Sequence, residues 1–138
     1  MKVKSFHCSK SGLVQPISSA IGTHFQCVSD KLPPAYPCEG ERIVFIGIEM
    51  DKKIPIEVEQ LCKTLSPART QSVAFYLIKH SDTDINLQPM IDMLKTNGVK
   101  TVGETFKIIV KKSLFKKATI NDTDIKAALA WAIATSEI

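Results

Sequence analysis

The sequence contains no apolar run that approaches the roughly 20 residues needed to cross a bilayer. The apolar stretch that follows the first four residues is also too short for a signal peptide. These two absences predict a cytoplasmic protein with no membrane partner.

Several signatures of catalysis and metal binding are missing as well. The chain has no Gly-x-Gly-x-x-Gly and no Gly-x4-Gly-Lys-Ser/Thr, which argues against nicotinamide enzymes and nucleotide kinases. The four cysteines, at positions 8, 27, 38 and 62, form neither a Cys-x-x-Cys pair nor a zinc spacing, so we expect reduced thiols. The three histidines, at positions 7, 24 and 80, are scattered. We therefore assign no catalytic residue and no metal ligand.

The composition predicts one soluble globular domain that spans residues 1–138. Hydrophobic residues make up 44% of the chain and charged residues 23%, and there is no internal repeat. Much of the net charge of +4 falls in Lys107–Lys117, which we call the basic segment. The basic segment is either a solvated face or a docking site for an acidic protein partner. We expect no nucleic-acid binding, because only Phe106 and Phe115 accompany the lysines as stacking aromatics.

Short apolar runs predict a sheet of five parallel strands. Ile43–Ile48 and Ser72–Ile78 are rich in β-branched and aromatic residues, which is typical of central strands buried on both faces. The other predicted strands are Val3–Cys8, an edge strand at His24–Val28, and a long region at Val99–Val110 that is interrupted at Gly103.

Helical patterns alternate with these strands, so the sheet should be covered on both faces. Apolar spacing predicts a helix over Leu13–Ile21, one that begins near Pro55, and one that stops at Asn97-Gly98. A C-terminal helix is capped by Asn121 or Thr123. One connection, from residue 29 to residue 41, contains three prolines and is predicted to be a crossing loop instead of a helix.

The junction between the first strand and the first helix carries the strongest functional signal. Ser9-Lys10-Ser11-Gly12 brings hydroxyls, a glycine and free backbone N–H groups to the positive end of a helix, where a phosphate can bind. Pro16 removes a donor and disfavours helix at Gln15, so we expect the helix to begin about one turn late.

In its element order, in the Ser9–Gly12 loop, in the Ile43–Gly47 strand and in the stretch from Gly98 to Glu104, the chain resembles the short-chain flavodoxins. The resemblance covers nearly all of the chain. It implies a flavodoxin-like three-layer α/β sandwich with a five-stranded parallel sheet in the order 2-1-3-4-5, and a ligand site between strands one and three.

The resemblance further implies an FMN site, with the phosphate in the first loop and the ring between the loops after strands three and four. The residues that match these positions are Ser9, Lys10, Ser11, Gly12, Leu13, Val14, Ile48, Glu49, Met50, His80, Ser81 and Asp82. Val14 stands where flavodoxins have a hydroxyl, and the segments 48–53 and 80–84 contain no Tyr, Trp or Phe. Met50 and His80 are the side chains there that could pack against a flavin.

Three functions remain open from the sequence. The leading hypothesis is an FMN-binding carrier that passes electrons to a partner protein, docked through the basic segment. Whether the protein is an enzyme stays open, and we favour an electron carrier or binding protein over a catalyst. The alternative is a binding or regulatory module with a flavodoxin fold that has lost its flavin. The third is a phosphate carrier through Cys8, which resembles the phosphocysteine of sugar-phosphotransferase IIB components. The sequence argues against a tyrosine phosphatase, because the position that requires arginine holds Val14.

Overall fold

The computed structural model describes residues 1–50, 53–82, 86–110 and 118–138. Within these ranges, strands and helices alternate along the chain, except that the second strand is followed directly by the third and the fifth by the sixth. The strands are β1 Val3–Cys8, β2 Ser29–Lys31, β3 Glu41–Met50, β4 Thr70–Lys79, β5 Lys100–Thr101 and β6 Phe106–Ile109. The helices are α1 Gln15–Phe25, α2 Ile56–Thr64, α3 Gln88–Thr96 and α4 Asp122–Ser136.

All strand pairs in the described residues are parallel, and they form one sheet. The order is β2-β1-β3-β4, and both β5 and β6 pair with β4. Cys8 at the end of β1 lies opposite Ile48 of β3, and Ile48 lies opposite Leu77 of β4. The carboxyl ends of β1, β3 and β4 therefore meet at one edge of the sheet, which we call the carboxyl edge.

Apolar layers cover both faces of the sheet, which confirms the flavodoxin-like three-layer sandwich. On one face, α1 and α4 pack Ile17, Ile21 and Ala128 against side chains that include Phe45 and Tyr76. On the other face, α2 and α3 pack side chains such as Val58, Leu61, Met90 and Leu94 against Phe6, Ile46 and Phe75. Because β3 and β4 supply side chains to both layers, their sequences are continuously apolar.

Close packing in the centre of the sheet depends on Gly47. The ring of Tyr76 lies where a side chain at position 47 would project, with Tyr76 Cζ 2.1 Å from the position of an added Cβ. No side chain fits in that space, so glycine is required here by packing and not by backbone conformation.

The prediction of an edge strand at His24–Val28 is wrong. His24 and Phe25 form the last turn of α1, and β2 begins at Ser29. The helix ends because Gln26 adopts a left-handed conformation, with φ of 55°, and its N–H reaches the carbonyl oxygens of Gly22 and Thr23. The four-residue spacing of Ile17, Ile21 and Phe25 carried the signal for this longer helix.

The expected effect of Pro16 is also wrong. Helix α1 begins at Gln15, with Pro16 in its first turn. Proline is compatible with this position, because the first N–H groups of a helix have no partner within the helix. The N–H groups of Ile17 and Ser18 donate to the Val14 carbonyl oxygen, at 3.1 and 3.0 Å.

The region Val99–Val110, which was predicted as one interrupted strand, contains two separate strands. The predicted interruption at Gly103 separates β5 from β6, so the part of the chain that the structure describes contributes six strands to the sheet and not five. Gly103 has a φ of +72°, and Thr135 of α4 lies 2.8 Å from the position of a Cβ there. The chain therefore bends at Gly103 where the C-terminal helix packs closely.

Several helix boundaries are confirmed. Helix α2 follows Pro55, and α3 ends before Asn97 and Gly98, where Gly98 has a φ of +86°. Asn121 caps α4 in a reciprocal capping box with Asp124.

No helix in the described part of the chain is long and apolar enough to span a membrane.

Candidate functional site

The candidate site lies at the carboxyl edge, where the strand order reverses. From β1 the sheet continues to β2 on one side and to β3 on the other. The loops after β1 and β3 therefore lead to helices on opposite faces of the sheet, and we call the region between these two loops the crevice. Ligands of open parallel sheets bind at such a switch point.

The loop after β1 places two hydroxyls beside open space. Gly12 has a φ of +83°, and no heavy atom lies within 4 Å of the position of an added Cβ. The Gly12 N–H donates to Ser9 Oγ at 3.0 Å, which closes the loop into a tight turn. Ser11 is exposed, and Lys10 beside it is exposed too. The turn thus presents polar groups to the crevice at the start of α1.

A carboxylate from the next strand accepts hydrogen bonds from both hydroxyls. Ser9 Oγ donates to Glu49 Oε1, and Ser11 Oγ donates to the same oxygen at 2.6 Å. On the other side, Nε2 of His80, at the end of β4, lies 2.7 Å from Glu49 Oε2. Glu49 therefore links the loops that follow β1 and β4.

These contacts stabilise the ionised form of Glu49. Its side chain is only 11% exposed, and this burial by itself acts to raise its pKa. Hydrogen bonds from Ser11, Ser9 and His80 outweigh the burial and hold the pKa of Glu49 below its ordinary value. The loop after β1 thus has the donors to stabilise an anionic oxygen.

The remaining residues of the predicted site divide into exposed and buried groups. Ser81 and Asp82 are exposed and follow His80 in the loop after β4. Leu13 is half-buried. The side chains of Val14, Ile48 and Met50 are buried in the apolar layers and do not face the crevice. Polar groups in the crevice therefore come mainly from Ser9, Ser11, Glu49 and His80.

The surroundings of Cys8 oppose the thiolate that a phosphocysteine carrier requires. Cys8 is half-buried, and its Sγ lies 3.9 Å from Oε2 of Glu57. Burial and the negative charge of Glu57 both raise the pKa of the thiol. All four cysteines are free thiols.

Metal chemistry has no candidate centre among the described residues, since no three His, Cys, Asp or Glu side chains converge there to hold an ion. His7 is buried in β1, and burial lowers the pKa of its imidazole. His24 lies at the end of α1 with its ring edge against Phe25. Of the three histidines, His80 is the one that faces the crevice.

The basic segment falls mostly outside the described residues. Lys107 lies on β6 and is exposed. Lys111, Lys112, Phe115, Lys116 and Lys117 are in the range 111–117, which the structure does not describe. Phe106 stacks on Trp131 of α4 with ring centroids 5.8 Å apart. This aromatic ring belongs to the packing of α4 against the sheet.

Sequence reasoning predicted that Glu49 lies in the site but did not predict which side chains its carboxylate contacts. The contact with Ser9 and Ser11 follows from the register in which Cys8 lies opposite Ile48, so that the next residues on each strand are neighbours. A register between two strands that are forty residues apart has no local signal in a single sequence.

Comparison with solved structures supports the fold. The chain matches a flavodoxin from the domain Archaea with a TM-score of 0.74 and 12% identity, over 99% of this chain and 97% of that chain. It matches oxidised Flavodoxin 2 from Bacillus cereus with a TM-score of 0.66 and 17% identity, over 99% of both chains. It also matches the flavodoxin of Streptococcus pneumonia TIGR4, with a TM-score of 0.65 and 10% identity, over 98% of this chain and 97% of that chain.

No protein-family model matches the sequence, and no curated protein matches it. The likeness is therefore one of structure, at low sequence identity. The chain has a flavodoxin-like fold.

Proposed function

We propose that this protein binds FMN reversibly at the carboxyl edge and carries electrons to a partner protein. The flavodoxin-like fold supports the proposal, because the crevice at the strand-order reversal coincides with a loop that holds an anionic oxygen. The sequence identity to the flavodoxins is low, so support for a ligand must come from the geometry of the site itself.

The position of Glu49 Oε1 is the observation that carries the proposal. Two hydroxyls on nearby loop positions converge on this one oxygen, as hydroxyls do on an oxygen of a phosphate. The donors therefore fit a phosphate group in chemistry and in placement. Because Glu49 uses the same donors, a phosphate can take them only when the carboxylate moves.

The residues that would hold FMN have distinct tasks. Ser9 and Ser11 would donate to the phosphate, and Lys10 would add a positive charge beside it. His80 is the only ring-bearing side chain in segments 48–53 and 80–84, so it is the candidate to lie against the flavin. When bound, the flavin supplies a ring system that accepts and gives up electrons. The chain's own residues bind and orient that ring.

We further propose that the partner docks through the basic segment. Lys107 is exposed, and the remaining lysines follow it in sequence. A partner with an acidic surface would be attracted to these charges, and the complex should weaken as ionic strength rises.

Titration of the purified protein with FMN tests the proposed function. We expect flavin fluorescence to be quenched on binding, with saturation at tens of micromolar FMN or below. If neither the wild type nor a Glu49→Gln variant quenches FMN at those concentrations, the electron-carrier function is contradicted.

A second function, a flavin-free binding module, is favoured by one specific observation. Glu49 already satisfies the two loop hydroxyls, and the loops that would border a flavin ring contain no Tyr, Trp or Phe. In such a module the contacts of Glu49 would be permanent. The same titration separates the two functions, because loops without an aromatic side chain for the flavin ring predict no FMN binding in the wild type or in Glu49→Gln.

A further inference from the structure

We propose that the Glu49 carboxylate is an exchangeable internal ligand, which occupies the Ser9 and Ser11 hydroxyls until a phosphate group displaces it. The inference rests on the proposed function for the identity of the natural ligand, FMN. The displacement itself concerns only phosphate and Glu49.

Competition follows from the limited number of donors in the loop. Ser9 Oγ accepts from the Gly12 N–H and has a single proton, which it donates to Glu49 Oε1. Ser11 Oγ likewise has one proton, and it is also given to Oε1. A phosphate oxygen that takes these two hydrogen bonds therefore removes them from Glu49. Two anions sharing the same donors would also repel each other.

His80 lowers the free-energy cost of moving Glu49 away from the serines. A carboxylate that is 11% exposed is costly to leave without a partner. The contact of Glu49 Oε2 with His80 Nε2, at 2.7 Å, involves the oxygen that the serines do not use. Glu49 can therefore give up the serines and keep His80. His80 acts as a positioning residue that retains the displaced side chain.

The exchange selects ligands by charge. Only a group that accepts hydrogen bonds as strongly as a carboxylate can compete for the two serines, and a phosphate does so. A neutral hydroxyl accepts more weakly and leaves Glu49 in place. The site should therefore distinguish FMN from riboflavin, which has a hydroxyl in place of the phosphate. The free-energy cost of displacing Glu49 should lower the affinity for FMN.

The test compares the wild type with Glu49→Gln and Glu57→Gln. Glutamine keeps the size of the side chain at position 49 and removes the charge that competes with phosphate. Glu57 is the matched control, because its carboxylate lies at the same edge but contacts Cys8 Sγ. Each protein is titrated with inorganic phosphate while the backbone amide signals of residues 9–12 are followed by NMR. Each is then titrated with FMN and with riboflavin by flavin fluorescence.

We expect Glu49→Gln to bind inorganic phosphate and FMN about tenfold more tightly than the wild type. Riboflavin affinity should not change. Glu57→Gln should change phosphate affinity by less than about twofold, because a charge that shares no donor with the ligand acts only through screened repulsion. If the glutamine at position 49 forms new hydrogen bonds to the serines, Glu49→Ala removes that contact and should show the same gain.

Results other than these contradict either the exchange of Glu49 for phosphate or the proposed FMN-binding function. Unchanged phosphate affinity in both Glu49 variants overturns the exchange, as does an equal gain in Glu57→Gln, which would indicate general repulsion. Tight FMN binding that Glu49→Gln leaves unchanged overturns the exchange and supports the proposed function. A gain for phosphate without any FMN binding supports the exchange and overturns the proposed function.

Discussion

The centre of β3 and Glu49 near its end differ sharply in what holds them in place. From Ile43 to Ile48 the strand is buried on both faces and packs against apolar side chains of β4 and the helices. One residue later, Glu49 is held by hydrogen bonds to two hydroxyls and an imidazole from two different loops. Shape complementarity dominates the first region and polar contacts dominate the second.

This difference explains how the fold and the site can vary independently. The apolar centre requires residues of the right size, and many sequences satisfy that requirement. The carboxyl edge requires particular functional groups at particular positions, since each hydrogen bond has a geometry. A chain can therefore keep a flavodoxin-like sheet while its crevice contains a carboxylate and an imidazole in place of Tyr, Trp or Phe.

The largest effect that we expect is in the centre of the sheet, at Gly47. A Gly47→Ala substitution places a methyl group about where the Tyr76 ring lies, so it should lower the free energy of unfolding by about 3 kcal/mol. Urea unfolding followed by Trp131 fluorescence measures this loss. Adding Tyr76→Leu should recover part of it, because the smaller side chain leaves room for the methyl group. A Gly47→Ala protein as stable as the wild type would contradict the tight packing described for this region.

A smaller effect on stability is expected at the edge, at Gly12. Gly12→Val places a β-branched residue in a left-handed conformation, which should cost about 1–2 kcal/mol of unfolding free energy. FMN affinity should fall about tenfold, because the new side chain fills the open space beside the serines. Gly12→Asn is the matched control for the backbone, since asparagine tolerates that conformation better. Unchanged FMN affinity in Gly12→Val would place the phosphate elsewhere.

Much of the sheet and three of the helices could be predicted from local patterns. The runs at Ile43–Ile48 and Ser72–Ile78 lie within β3 and β4, and Asn121 caps α4 as its position indicated. The end of α1 could not be placed, because the left-handed conformation of Gln26 is rare for a residue other than glycine. The start of α1 was misjudged because Pro16 was weighed as a helix breaker and not as a first-turn residue.

The candidate site was predictable as a set of residues but not as an arrangement. Loop chemistry indicated Ser9, Ser11 and Gly12, and the resemblance indicated Glu49 and His80. Which of these side chains touch depends on the parallel register of β1, β3 and β4, a tertiary property. The burial of Met50 likewise depends on which face of β3 turns toward α2 and α3.

Competition between Glu49 and the FMN phosphate for Ser9 and Ser11 is best tested by the pKa of Glu49, measured by NMR of its carboxyl carbon with and without saturating FMN. In the free protein, the serine and histidine hydrogen bonds should hold this pKa below the ordinary value for glutamate. FMN should raise the pKa, because its phosphate takes the serine donors and adds a nearby negative charge. A pKa that stays low and unchanged while FMN is bound would contradict the account, since Glu49 and the phosphate would then not share the loop after β1.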